Sequence, residues 1–227
     1  MSDFLLALPI LLFSVVAHEY AHAWTAYRQG DDTAHALGRL TLNPMPHIDP
    51  FMSVLFPLGL YWVSSLSGHP FTFGAARPVP VDPRRFRNFV RGDLIVSSAG
   101  IITNLLIAVA CSLLFAGLGL AGYAAPGLAG TLGLLQRVLV FGVTLNLTLA
   151  VFNVLPIPPL DGSHLLVHAL PAGWRAGYGR VARYGFVVLL VTFMVPGLWN
   201  VLLWPVDLLS GVAFHLVGPF ALPAVAR

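Results

Sequence analysis

The densest chemistry in the chain is the run H-E-Y-A-H at residues 18 to 22. Histidines four apart on a helix lie one turn above each other on one face, so the imidazoles of His18 and His22 can reach a single metal ion. Glu19 is placed to take a proton from a water polarised by that metal and to return it to a leaving amine. Catalytic zinc typically uses three protein ligands and keeps one position open. The best third ligand is Asp161, in the run N-V-L-P-I-P-P-L-D-G at 153 to 162. Its competing reading is an N-cap for the short helix that follows. For the histidines the competing reading is a pair of interfacial side chains at a helix end. An ionisable group inside a spanning helix is functional by default, however, because it costs about 2.5–3.5 kcal/mol on insertion scales.

The elements that must position these residues belong to a membrane. Of the 227 residues, 57% are hydrophobic and 9% charged, and the mean hydropathy is +0.82. A soluble domain carries roughly a quarter charged residues. The twelve basic residues are all arginine, and they are too scattered for a nucleic-acid footprint. The single cysteine, Cys111, excludes an internal disulfide and a thiolate zinc cluster, and reads as a packing residue. The apolar start lacks a basic leader and a small-residue cleavage site, so it reads as a retained helix.

Spans are expected at Phe4 to Tyr27, Leu94 to Leu120 and Leu134 to Leu155, where Pro156, Pro158 and Pro159 end the helix. A strand is expected at Ala36 to Leu42, and Phe51 to Leu66 is short enough to be re-entrant. Leu160 to Pro171 reads as a short helix, and Arg175, Arg180 and Arg183 lie in a linker after it. One long or two shorter helices then cover Tyr184 to Val195 and Leu198 to Phe220. The expected fold is thus an all-α polytopic membrane protein of about five to six transmembrane helices, with a re-entrant segment and a small β element. It forms one domain over residues 1–227, with a catalytic core at 4–171 and C-terminal helices at 180–222.

Arginine-rich loops stay in the cytoplasm. Seven arginines lie between Arg28 and Arg91, three between Arg175 and Arg183, and none between Ala121 and Gly133. If Phe51 to Leu66 does not cross, the first helix runs inward, the second outward and the third inward. At 1.5 Å per residue His22 and His18 then lie about 9 and 15 Å from Arg28, at the cytoplasmic end of their helix. Asp161 reaches the same side.

Together these motifs resemble the site-2 protease family of intramembrane zinc metalloproteases, in its compact branch without PDZ or CBS domains. The similarity covers most of residues 13 to 165, including the loops N-P-M-P-H-I-D-P and G-A-A-R-P-V-P-V-D-P-R-R-F-R-N. It implies that His18, His22 and Asp161 bind one zinc ion, that Glu19 is the catalytic base, and that Asn153 hydrogen-bonds the substrate backbone or the developing oxyanion. Gly100 and Asn104 fit the family's glycine-and-asparagine element, with Ile101 where proline is common. For Gly100, close helix packing is the stronger reading. The resemblance implies hydrolysis of peptide bonds within or near transmembrane segments, in a bacterial-type cell membrane, with transmembrane proteins or peptides and the lipid bilayer as partners. The Ala36 to Leu42 strand would pair with an unwound substrate. The alternatives are a metal transporter, which would favour a midplane site and repeated halves, and a non-catalytic pseudoprotease, which the intact H-E-Y-A-H opposes. His47 and Asp49 read as loop caps or gating residues, His164 as a side chain near the metal, and His35, His69, His168 and His215 as interfacial.

Overall fold

The computed structural model describes residues 2–55, 59, 62, 76–195, 197–223 and 225. Its described residues form eight α-helices: α1 Ser2–Gln29, α2 Thr33–Ala36, α3 Phe89–Ala124, α4 Ala129–Val154, α5 Asp161–Ala169, α6 Ala172–Ala182, α7 Gly185–Met194 and α8 Leu198–Val217. Three helical stretches among them are long and apolar enough to cross a membrane: Phe89–Ala124, Pro126–Val154 and Asn200–Phe220. The 28 residues of α1 measure about 42 Å, which also exceeds a bilayer's hydrocarbon thickness.

Cross-helix contacts fix the chain directions. His18 meets Asn104 and His22 meets Val96, so α1 and α3 run antiparallel. Asn104 bonds Asn146 while Cys111 lies against Gly142, so α3 and α4 are antiparallel as well. Ile10 beside Gly142 and Ser14 beside Asn146 make α1 and α4 parallel. This is the alternation expected from the loop charges. The amide of Arg87 donates to the carbonyl of Gln29 at 2.9 Å, so the connection between α1 and α3 leaves and returns at one end of the bundle. The re-entrant excursion expected at Phe51 to Leu66 lies mostly outside the described residues. What is described of it opens as a π-helical turn, Pro50–Leu55, whose Phe51 amide donates to Asp49 Oδ1 at 2.9 Å.

The bundle is polar inside and apolar outside. Ser14, Asn104, Gln136 and Asn146 are fully buried, while Leu106, Leu113, Leu114, Val201 and Leu216 face outward. In water such an apolar surface would be a liability; in lipid it is the solvated face. The apolar core proper is small: Ala108, Cys111, Val143, Leu147 and Val206 pack between α3, α4 and α8.

Two expectations need correction. No strand occurs among the described residues, and 36–42 are the end of α2 followed by turns and bends. Among the described residues no backbone of another segment pairs with it; instead the Arg39 guanidinium donates to the carbonyls of Arg77 (2.8 Å) and Pro78 (2.9 Å), so a side chain makes the link a strand would have made. The arginine-bearing linker is helical, as α6, started by Pro171 and tethered by the Tyr178 hydroxyl donating to the Pro156 carbonyl at 3.2 Å. Of the two alternatives for the C-terminal region, the described residues take the two-helix one: α7 ends at Met194, and Gly197, with a left-handed φ of 82°, caps the start of α8.

Gln136 fastens the chain's last segment to the bundle. Its Nε2 donates to the carbonyls of Phe115 and Phe220, both at 2.9 Å, and its Oε1 accepts from the Leu222 amide at 2.9 Å. Gln136→Met keeps the volume but strands these partners in a buried place. It should lower stability by about 1–3 kcal/mol, seen as a lower thermal midpoint in detergent, with earlier protease access after Val217.

Candidate metal centre

The site forms where the second half of α1 crosses α3. His18 and His22 project from the same face of α1, and both rings are held at Nδ1. His22 Nδ1 donates to the Val96 carbonyl at 2.8 Å. His18 Nδ1 lies 2.6 Å from Asn104 Oδ1. Asn104 Nδ2 donates to Asn146 Oδ1 at 2.9 Å, and Asn146 Nδ2 donates to Ser14 Oγ at 2.8 Å and to the Gly142 carbonyl at 2.9 Å. Ser14 in turn donates to the Ile10 carbonyl at 2.6 Å. This one-directional chain leaves Asn104 Oδ1 only an acceptor's role, so His18 carries its proton on Nδ1. Both Nε2 atoms therefore present lone pairs.

Those two Nε2 atoms are 3.0 Å apart. Asp161 Oδ2 stands 3.4 Å from the first and 3.3 Å from the second. It is buried and has no hydrogen-bond partner. Three lone-pair donors so arranged repel one another unless a cation lies between them. The triangle also has the right size, because tetrahedral zinc with bonds of about 2.0–2.1 Å sets its ligands about 3.3–3.4 Å apart. Among the described residues this is the one cluster of three histidine or carboxylate groups able to hold a metal ion.

Gly100 makes the arrangement possible. A Cβ on it would lie 2.4 Å from His18 Cε1 and 2.5 Å from His22 Nε2, inside both rings. The close-packing reading of Gly100 thus has a specific partner, the imidazole pair. On the opposite side Asp161 arrives as the first residue of α5. Gly162 lets that helix start directly against the end of α4, since a Cβ there would fall 2.0 Å from the Val154 carbonyl oxygen.

Glu19 is half-buried, and its Oε2 accepts from the Val79 amide at 2.8 Å. The segment carrying Val79 is secured from several sides. Arg39 holds the two preceding carbonyls, and the Arg77 amide donates to the His47 carbonyl at 2.8 Å. Buried Asp31 accepts from the Asp82 amide at 2.7 Å with one oxygen and from Thr33 with the other. His47 is therefore a buried fastener of this loop, its Nε2 beside the Thr41 carbonyl at 3.0 Å. Asn153 sits on the last turn of α4, where its Nδ2 donates to the Leu149 carbonyl at 2.9 Å.

Sequence reasoning missed Asn146 and Ser14, polar residues in apolar spans whose spacing carries no motif, and it missed Asp93. Asp93 lies in α3 and pairs with His168, Nε2 donating to Oδ2 at 2.7 Å, and with His164 at 3.5 Å. His168 is thus buried and paired rather than interfacial. The facing Asp93 carboxylate lifts the His164 imidazole pKa above its ordinary value.

The model of Peptidase family M50 matches residues 119–196, which hold Asp161 but not the H-E-Y-A-H run. The remainder is covered by relatives. The chain is 39% identical over 195 residues to a Bacillus subtilis protein named as a zinc metalloprotease, YwhC, spanning 86% of this chain and 82% of that one. The chain belongs to peptidase family M50, the site-2 protease family. Proteins named as zinc metalloprotease Rip2 are similar too. That of Mycolicibacterium smegmatis is 32% identical over 94% of this chain and 77% of its own length, and that of Mycobacterium tuberculosis strain H37Rv is 36% identical over 90% and 74%. No solved structure matches. As a member of this family the chain is a zinc metalloprotease, and its apolar helices make it a membrane protein. Family membership sets aside the transporter reading.

Asn104→Leu removes the acceptor that fixes the His18 tautomer. Outer partners of metal-binding histidines are worth about 10–100-fold in metal affinity, and a loss of that size is expected when zinc is titrated against a competing chelator.

Proposed function

We propose that His18, His22 and Asp161 hold the zinc ion and that Glu19 is the general base for hydrolysis of a peptide bond within or near a transmembrane segment of another membrane protein. The observation that carries this reading is the convergence of two imidazole lone pairs and an orphaned carboxylate oxygen at 3.0–3.4 Å. The depth of the site supports the substrate class. His18 is 10 and His22 is 6 residues before Arg28, so the cluster lies about 9–15 Å inside the end of α1. A substrate bond must come to that depth to react. The arginine distribution favours the cytoplasmic side of a bacterial-type cell membrane for this end of the bundle.

Zinc bound there supplies Lewis acidity to a water and to the scissile carbonyl. The chain's own groups do the rest. Val79 occupies one lobe of the Glu19 carboxylate and fixes its plane, leaving Oε1 for the proton of the attacking water. Glu19 delivers that proton to the departing amine as the C–N bond breaks. Asn153, on the last turn of α4, keeps a second amide hydrogen beyond the one given to Leu149, to offer to the substrate backbone or to the oxygen that gains charge. The buried Asn104–Asn146–Ser14 chain holds the His18 ring and the Val96 carbonyl holds that of His22, so the site needs little reorganisation during the reaction.

Glu19→Gln is expected to retain zinc and to lose cleavage of a transmembrane test substrate by at least about a hundredfold, the lower range for a missing general base. His22→Ala should lose both. Metal analysis and a gel-based cleavage assay on purified protein in detergent distinguish them, and undiminished cleavage by Glu19→Gln would sink the proposal.

A further inference from the structure

The metal cluster takes two donors from α1, a long helix packed along the bundle, and one from α5, which has only nine residues. A helix that short is marginal by itself, so tertiary contacts must set where it lies. Its first turn is located by Gly162 against the end of α4. A second contact is needed to fix its direction, and hence the aim of the Asp161 carboxylate.

We infer that Asp93 is a positioning residue for the metal centre: by gripping His164 and His168 it fixes the helix whose first residue is Asp161. The inference rests on Asp161 being a zinc ligand. His164 and His168 are four apart on one face of α5, and Asp93 meets them with separate oxygens, Oδ1 at 3.5 Å from His164 Nδ1 and Oδ2 at 2.7 Å from His168 Nε2. The His168 ring also sits edge-on to Phe89, centroids 5.9 Å apart, one turn before Asp93 on α3. Asp93 and His168 side chains are only 11% and 9% exposed. A carboxylate so placed is costly unless it is paired. It is not capping α3, because Asn88 does so by accepting from the Arg91 amide at 3.0 Å.

The position of Asp93 along α3 completes a pattern. Asn104 holds His18, the Val96 carbonyl holds His22, and Gly100 lies under both rings. Residues 93, 97, 100 and 104 recur at helical spacing, and all four are buried. Asp93 thus extends to the third ligand the support that α3 gives the first two. It acts through α5 and does not touch the reacting atoms.

The test compares Asp93→Ala, Asp93→Asn and Asp161→Asn in full-length protein purified in detergent, loaded with zinc for affinity and kinetics and with cobalt(II) for the visible d–d spectrum. Asp93→Ala should lower zinc affinity at least about tenfold, as for other outer partners. It should also lower kcat with KM within about twofold, and shift the cobalt band. Asp93→Asn keeps an oxygen for His168 Nε2–H to donate to, and should restore the wild-type band and most of the affinity. A folded Asp93→Ala protein with unchanged band, affinity and kcat overturns the inference. So does an Asp93→Ala loss that Asp93→Asn fails to rescue, which would mean a structural role alone. If Asp93→Ala does not fold, His168→Leu against His168→Gln carries the same comparison from the other partner. Failure of the underlying ligand assignment looks different: Asp161→Asn would then itself leave zinc affinity and the cobalt band unchanged.

Discussion

Everything at the site depends on how closely α1 can approach α3. Two imidazoles must fit between the helices with their Nε2 atoms 3.0 Å apart, and only a residue without a Cβ at position 100 leaves the room. Once the helices are that close, the Val96 carbonyl and the Asn104 amide come within hydrogen-bond reach of the Nδ1 atoms. Ring orientation, tautomer and donor direction then follow from a single backbone contact. In lipid this matters more than in water, since helix association there is driven by close packing and by interhelical hydrogen bonds rather than by burial of apolar surface.

The same constraint explains the polar interior. The line from His18 through Asn104, Asn146 and Ser14 crosses three helices, with each internal amide both accepting and donating. A broken link would strand a polar group in a low-dielectric interior, so the network specifies one register of α1 against α3 and α4. Gln136 plays the matching part near the other end of the bundle, where it binds the last segment. The apolar cluster between these polar fasteners is small, of Ala108, Cys111, Val143, Leu147 and Val206.

Glu19 is governed by a different part of the chain. Its partner Val79 belongs to an extended, proline-rich stretch held by Arg39, Asp31 and the His47 carbonyl, each from a different loop position. The charged residues between α1 and α3 therefore also build the frame that sets the Glu19 carboxylate. This frame replaces the β-strand that the 36–42 pattern suggested, with side chain-to-carbonyl bonds in place of a ladder.

The zinc-metalloprotease class and the need for a membrane were legible in the residues alone. H-E-Y-A-H fixes two donors on one helix face through the 3.6-residue period, D-G after a proline cluster marks where a third can enter, and apolar run lengths demand a membrane. Loop arginines, with Phe51 to Leu66 taken as non-crossing, gave the relative directions of three helices, because charge bias acts on whole segments and needs no knowledge of packing. Which polar residues in the spans pair with one another emerged only from the packing of the helices. Asn146 and Ser14 sit 132 residues apart, and Asp93 meets His168 across 75, so no local pattern announces either pair. Hydrogen bonds between helices depend on rotation and crossing distance, and those are set by which small residues allow close approach, a property of two surfaces rather than of one run of sequence.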